Sequence, residues 1–140
     1  MNFRVAKYED LEFVRQHSLF PDDVKEQVAQ TDYEFTLEHE DKILLIGGFR
    51  LITNSTCWGW FQMTEFVGTH IQVVYRVIKE YTEMWCKDHK IKRLQIYVES
   101  DFEKGLRVAK HLGFEKECDM KHFMGKDRDA VLFVRYFGGD

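Results

Sequence analysis

Residues 93–114 read RLQIYVESDFEKGLRVAKHLGF, and this stretch decides the fold. From Arg93 to Val98 the apolar residues alternate. Leu94, Ile96 and Val98 share one face and Tyr97 lies on the other, the period of a strand. Ser100 and Glu103 have the S-x-x-E spacing of a capping box, in which each side chain bonds the other residue's free N–H. Phe102, Leu106, Ala109 and Leu112 then recur at helical spacing. Gly113 is the expected left-handed stop, with Phe114 folding back after it. The stretch is therefore a strand that feeds a helix, with both ends of the helix marked.

The rest of the composition bounds what this unit can belong to. A chain of 140 residues with 44% apolar and 31% charged residues predicts a single globular domain spanning 1–140. Aromatic residues, at 15%, favour strands and a thick core. A net charge of -4 gives no nucleic-acid signal. Cys57, Cys86 and Cys118 are scattered and without metal-ligand spacing, which predicts packed thiols in a reducing, cytoplasmic compartment. No Cys/His pair suggests a thiol nucleophile, and no metal constellation is visible. The opening MNFRVAKYED has no apolar signal region, and no apolar run reaches the roughly 18 residues of a membrane span.

Working outward, Phe3 to Ala6 reads as a first strand and Asp10 as the cap of a helix from Leu11 to about His17. Phe20-Pro21-Asp22-Asp23 opens a second short helix, about Val24 to Gln30. Tyr33, Phe35 and Leu37 alternate. Glu40-Asp41-Lys42 turns the chain, and Ile43 to Phe49 returns as a hairpin partner covered on both faces. Gly47-Gly48 marks either a bulge or a close backbone approach. Thr56 to Phe66 is a strand rich in rings. Val67-Gly68-Thr69-His70 is a loop with Thr69 as an N-cap, and Ile71 to Asp88 is a long helix. Its apolar surface is widened by a second row, Val73, Val77 and Met84. Lys116 to Phe123 and Ala130 to Phe137 close the chain as a hairpin. The order is β-α-α-β-β-β-α-β-α-β-β. It fits an α/β (α+β) fold with a mixed, mainly antiparallel central sheet and helices on both faces.

In this order, the opening FRVAKYEDLEFV and the later VESDFEKGLRVAKHLGFEKE resemble the first strand–helix and the strand–helix–Gly-Phe of the GNAT superfamily of acetyl-CoA-dependent N-acyltransferases. More narrowly, IGGF, CWGWF, a long charged helix and YVESDFEKGLRVAKHLGF are similar to a GNAT-related internal virion protein family of short-tailed bacteriophages. The first resemblance implies acetyl-CoA as cofactor and a strand that splays from its neighbour to admit the pantetheine arm. It also implies a Gln/Arg-x-x-Gly-x-Gly/Ala loop that wraps the pyrophosphate at a helix start, where free N–H donors and the helix dipole favour an anion. The corresponding cofactor-binding residues are Phe66, Val67, Gly68, Thr69, His70 and Ile71, followed by Gln72. This stretch has one glycine and no arginine, and Val67 and Ile71 are expected to crowd the approach. The superfamily's tyrosine acid, four residues before the closing glycine, is replaced by Ala109, and Ser100, Asp101 and Phe102 stand where an asparagine is usual.

Acyl transfer to an amine needs a base for the ammonium proton and, ideally, an acid for the leaving thiol. Glu65, near the end of the strand, is the first candidate base, and Glu99, ending the next strand, is the second. Each also reads as a solvated strand-end carboxylate. Tyr97 or Tyr136 is the candidate replacement acid, against a core-packing role. His70 either touches phosphate or is a surface histidine at a helix start. Trp58, Trp60 and Phe61 line a cleft or pack as core. Lys87, His89, Lys90, Lys92 and Arg93 form a basic cluster that either meets an acidic partner or is solvated. Two functions follow. One is a GNAT-fold protein with a degenerate acetyl-CoA site that works through a protein partner, as a phage virion component or a factor in the host cytoplasm, with homo-oligomers open. The alternative is an active acetyl-CoA-dependent N-acetyltransferase.

Overall fold

The computed structural model describes residues 1–18 and 32–138. The elements are β1 (Asn2–Val5), α1 (Tyr8–His17), β2 (Tyr33–His39), β3 (Lys42–Leu51), β4 (Thr56–Met63), a 3-10 segment (Glu65–His70), α2 (Ile71–Asp88), β5 (Arg93–Glu99), α3 (Glu103–His111), β6 (Glu115–Gly125) and β7 (Arg128–Tyr136). The strands form a seven-stranded sheet in the order β1-β2-β3-β4-β5-β7-β6. The helix expected over 24–30 lies outside the described residues. The chain falls into two compact units, Met1–Leu51 with Gly59–Val74, and Ile52–Trp58 with Tyr75–Asp140.

In the first unit, β1 pairs antiparallel with β2 from Asn2↔Glu38 to Val5↔Phe35. The β2–β3 hairpin closes at His39↔Lys42, with Glu40 at φ 51 and Asp41 at φ 62. Positive φ at both central residues is the two-residue turn whose twist matches the flanking strands. Ile43 to Phe49 is buried throughout, as its unbroken apolar run predicts. Gly47 and Gly48 are places of close approach. A Cβ at Gly48 would lie 2.5 Å from Trp60 Nε1, and one at Gly47 would lie 2.7 Å from Phe35 Cζ. The register of this pair shifts elsewhere, where Leu37 and Glu38 face Leu45 and Ile43 and Leu44 of β3 is the extra residue. Helix α1 begins earlier than the sequence predicts, because Asp10 is not its N-cap. Lys7 is, and the Asp10 carboxylate reaches back to accept the Lys7 N–H at 2.7 Å. Val14 of α1 is fully buried against Ile43, Ile46 and Trp60.

In the second unit, β5 and β7 pair antiparallel from Arg93↔Tyr136 to Glu99↔Ala130. β6 pairs with the outer side of β7, the two joined at Gly125↔Arg128. The parallel β4–β5 ladder has only three pairs, Thr56↔Arg93, Cys57↔Leu94 and Trp58↔Gln95. Helix α3 lies against β5 where Gly105 leaves room. A Cβ there would meet Val98 Cγ1 at 2.7 Å and Phe102 Cδ2 at 2.7 Å. Its end is as predicted. Gly113 has φ 92, its N–H bonds the Lys110 carbonyl at 3.0 Å, and the Phe114 N–H bonds the Ala109 carbonyl at 3.1 Å. These are the two bonds of a Schellman stop. Its start is not as predicted. The N-cap is Phe102, without a side-chain cap, and Ser100 instead gives its N–H to the Asp129 carbonyl at 2.9 Å. The β6–β7 hairpin thus holds the residue that the capping box would have used. Helix α2 has the predicted limits and buries Ile78, Trp85 and Cys86. Of the second row, Val73 and Met84 stay exposed.

Candidate functional site

The candidate cofactor segment is built from Thr64. Strand β4 ends at Met63, so Glu65 and Phe66 are not strand residues as the sequence predicts. Thr64 explains the change. Its N–H bonds the Leu44 carbonyl at 3.0 Å, and its hydroxyl donates to the Ile43 carbonyl at 2.6 Å. The same hydroxyl accepts the Phe66 N–H at 3.3 Å, and the Thr64 carbonyl accepts the Val67 N–H at 3.2 Å. A buried threonine that satisfies both its own strand and the next turn stops the strand and starts a 3-10 turn. Thr64 is therefore the N-cap of the 3-10 segment.

Within the segment, Phe66 is the anchor. Its ring lies 5.6 Å from that of Phe13 and 5.0 Å from that of His17, both on α1, and Lys42 Nζ stands 5.0 Å from its centroid. Val67 is 2% exposed and turns into the core. It does not crowd the mouth of the loop, contrary to the expectation from sequence. Gly68 sits at φ 46, ψ −126, a conformation that favours glycine. Nothing lies within 4 Å of where its Cβ would be. His70 follows, with its ring 5.0 Å from that of His39, and α2 begins immediately at Ile71. Glu65, Phe66, Val67, Gly68, Thr69, His70 and Ile71 thus form one continuous segment in the first unit, leading into an 18-residue helix. A helix start next to an open glycine turn is suited to an anion.

Glu65 has its side chain 58% exposed, and its carboxylate lies 3.6 Å from His17 Nδ1. It is exposed rather than enclosed in a pocket, and it has an imidazole beside it. The other candidates belong to the second unit. Glu99 ends β5, and both of its oxygens accept from Arg128, each at 2.9 Å. The Arg128 guanidinium holds the Glu99 carboxyl below the usual carboxylate range. Tyr97 is half-buried, its ring edge-on to Trp58 at 5.7 Å and to Phe123 at 4.9 Å. Tyr136 is exposed, and its hydroxyl accepts from Arg93 at 3.3 Å. Ala109 is buried and carries no hydroxyl where the superfamily's acid would stand. Trp60 is core, whereas Trp58 is only partly buried. The basic cluster is partly neutralised. Lys87 pairs with Glu83 at 2.9 Å and Arg93 with Glu117 at 2.6 Å. Burial pushes the Cys86 thiol up to about 12, so it is chemically inert near neutral pH.

Sequence reasoning missed His17, His39, Lys42 and Thr64. The first three lie 23 or more positions before Glu65 in the chain, and only strand pairing and the packing of α1 bring them to it. A threonine followed by a glycine-containing turn was a readable signal for Thr64, but the run of rings before it favoured a longer strand.

No protein-family model matches the sequence, and no curated protein matches it. Solved structures do. The ribosomal-protein-S18-alanine N-acetyltransferase from Escherichia coli superposes with a TM-score of 0.74 at 11% identity, over 99% of this chain and 95% of its own. The aminoglycoside 6'-N-acetyltransferase from Enterococcus faecium does so with a TM-score of 0.71 at 10% identity, over 100% and 99%. The candidate acetyltransferase yncA from Salmonella typhimurium, solved with its cofactor acetyl-CoA, gives 0.68 at 12% identity, over 99% and 95%. Identities this low speak for architecture, and the architecture agrees over nearly the whole of each chain. The chain has the GNAT fold.

Proposed function

We propose that this protein is an acetyl-CoA-dependent N-acetyltransferase acting on an amine. The observation that carries the reading is Gly68, with its left-handed backbone in open space at the start of α2 and Val67 turned away from it. A glycine turn there lets phosphate oxygens come close to backbone N–H groups, which a side chain on that residue would prevent. Phe66 fixes the segment against α1 and Lys42. The segment from Phe66 to Ile71 would hold the pyrophosphate. Bound acetyl-CoA supplies an activated acetyl thioester.

The chain's own part is to bind, orient and move a proton. Of the two carboxylates, Glu65 is the better base, because both Glu99 oxygens are occupied by Arg128. Glu65 takes the proton of the attacking ammonium, directly or through one water, and the His17 imidazole 3.6 Å away accepts it onward. The reading is tested by following thiol release from acetyl-CoA with a panel of primary amines. Amine-dependent release supports it, and acetyl-CoA binding without release for any amine counts against it.

A second reading is favoured by the buried Ala109. It is a GNAT-fold protein that has lost turnover and acts through protein contacts, in a phage particle or on a host target. That reading expects no thiol release, and a specific partner retained by the purified protein.

A further inference from the structure

The chain is acidic overall, with a net charge of -4, but its charge is not spread evenly. In the second unit the exposed sides of α2 and α3 carry a row of cations. Arg76 and Lys79 stand on α2, and Lys104, Arg107 and Lys110 on α3, all of them exposed. Arg135 of β7 lies between α2 and the turn after α3. Its Nη1 donates to the Lys79 carbonyl at 3.4 Å. Its Nε and the Lys79 Cε stand 3.3 and 3.4 Å from where a Cβ of Gly113 would be, so both side chains converge on the turn that ends α3. Tyr75 and His111 bridge the two helices, their rings stacked at 4.9 Å and 10°. Arg107 is near enough for its charge to act on the Tyr75 phenol. The cations therefore share one continuous surface.

These charges are not neutralised from within. Among the described residues, none of the six is in an ion pair. The carboxylates of the two helices closest in sequence to the row are Glu80, Glu83, which already pairs with Lys87 at 2.9 Å, and Glu103. Burial pulls the half-buried Arg135 guanidinium below its ordinary value, and Glu83 offsets only part of that. A helix C-terminus favours cations, which accounts for Lys110 and Arg135. It does not account for Arg76 on α2, and Lys104 sits in the first turn of α3, where the dipole opposes a positive charge.

A repeating row of cations suits a repeating anion. Along α3 the cations recur every three residues, about 4.5 Å apart along the axis. No large apolar side chain of α3 is exposed, whereas a protein partner would need an apolar centre to its contact. A nucleic-acid duplex carries one charge per about 1.7 Å of its axis and is held by cations alone. We propose that Arg76, Lys79, Lys104, Arg107, Lys110 and Arg135 make the α2–α3 face a binding surface for the phosphate backbone of a nucleic-acid duplex, without reading its sequence. The inference goes beyond acetyl transfer and does not depend on it. Net charge conceals the surface, because these residues are spread from position 76 to position 135 and only the fold brings them together.

The probe is a labelled DNA duplex of about 20 base pairs, titrated with the full chain while its anisotropy is followed from about 50 to 200 mM salt. Binding is expected at the low end. The logarithm of the affinity should fall against the logarithm of salt with a slope of about -3 to -5, a loss of about 10²- to 10³-fold over the range. A duplex of unrelated sequence should bind alike. Lys79→Glu combined with Arg107→Glu should weaken binding at least about tenfold and make the slope shallower by about 2. Lys121→Glu combined with Lys126→Glu, on the β6–β7 hairpin of the same unit, makes the same change in net charge and should leave affinity within about threefold of wild type. All four positions are exposed, and an unchanged Tm shows that each variant is folded. No binding at about 50 mM salt, a slope near zero, or equal losses for the two double variants would overturn the proposal. So would poly-glutamate of matched charge that binds as tightly as the duplex, which would assign the face to an acidic protein. Each of these outcomes leaves the acetyl-CoA reading untouched, because cofactor binding is measured separately.

Discussion

The Asp10 carboxylate accepts from Arg4 at 2.7 and 2.9 Å, from the Lys7 N–H at 2.7 Å and from the Thr36 hydroxyl at 2.9 Å. Burial pushes its carboxyl upward, but Arg4, the Lys7 N–H and Thr36 outweigh that and hold it below its ordinary value of 3.8. A depressed carboxyl contributes stability above its unfolded pKa and loses it as pH falls through the folded one. The contribution is therefore complete at neutral pH and disappears progressively below about pH 4. Asp10→Asn should lower stability by about 1.5–3 kcal/mol at pH 7, measured by urea unfolding, and the gap to wild type should shrink in acid. The sequence shows Asp10 near a helix start but not this network, because Arg4 and Thr36 arrive by strand pairing. Glu65 is similar. Its identity as a candidate is readable, but its placement on a turn beside His17 depends on Thr64 ending the strand. If Glu65 is the base, Glu65→Gln should lower kcat by about 10²–10⁴-fold with little change in the KM for acetyl-CoA. A loss confined to KM would assign Glu65 to binding.

At the scale of elements, the sequence is most legible where local chemistry alone decides. Helix α2 has the predicted limits, and the Gly113 stop is found as read. Both follow from contacts within a few residues. The errors fall where a partner from elsewhere intervenes. The Ser100–Glu103 capping box loses Ser100 to the Asp129 carbonyl, and the ring-rich run after Thr56 is cut short because Thr64 reaches Ile43 and Leu44. The Gly47–Gly48 pair was ambiguous between bulge and close approach, and the indole of Trp60 decides it. A methyl group at Gly48 would sit 2.5 Å from Trp60 Nε1 and 2.9 Å from the Tyr33 carbonyl oxygen, a backbone atom that cannot move freely. Gly48→Ala should therefore destabilise by about 1–3 kcal/mol through overpacking. Gly113→Ala should cost about 1–2 kcal/mol, because its φ of 92 is unfavourable for a Cβ and Arg135 Nε stands 3.3 Å from that position. Thermal unfolding of both variants checks this. A Gly113→Ala protein as stable as wild type would mean that the stop can be made without the left-handed residue.

For the whole molecule, the element order carried most of the information. Short motifs here are degenerate, and no family model or curated protein matches, yet the succession of strands and helices matches the GNAT fold over nearly the full chain. The candidate site was less legible, because the groups packed on its segment, His17, His39 and Lys42, come from α1 and the β2–β3 hairpin rather than from the segment itself. A ligand that binds only the folded state stabilises it by about 2.7 kcal/mol at a hundredfold excess over Kd, so acetyl-CoA should raise Tm by several degrees. The most direct measurement of the central claim is calorimetric titration of acetyl-CoA into wild type, Gly68→Asn and Gly68→Asp. The two variants share the backbone strain at φ 46 and differ in charge alone. The account predicts binding by wild type, a modest loss for Gly68→Asn, and a further loss of at least about tenfold for Gly68→Asp, whose carboxylate would face the phosphates. Equal affinity for Gly68→Asn and Gly68→Asp, or no binding by wild type, would contradict it.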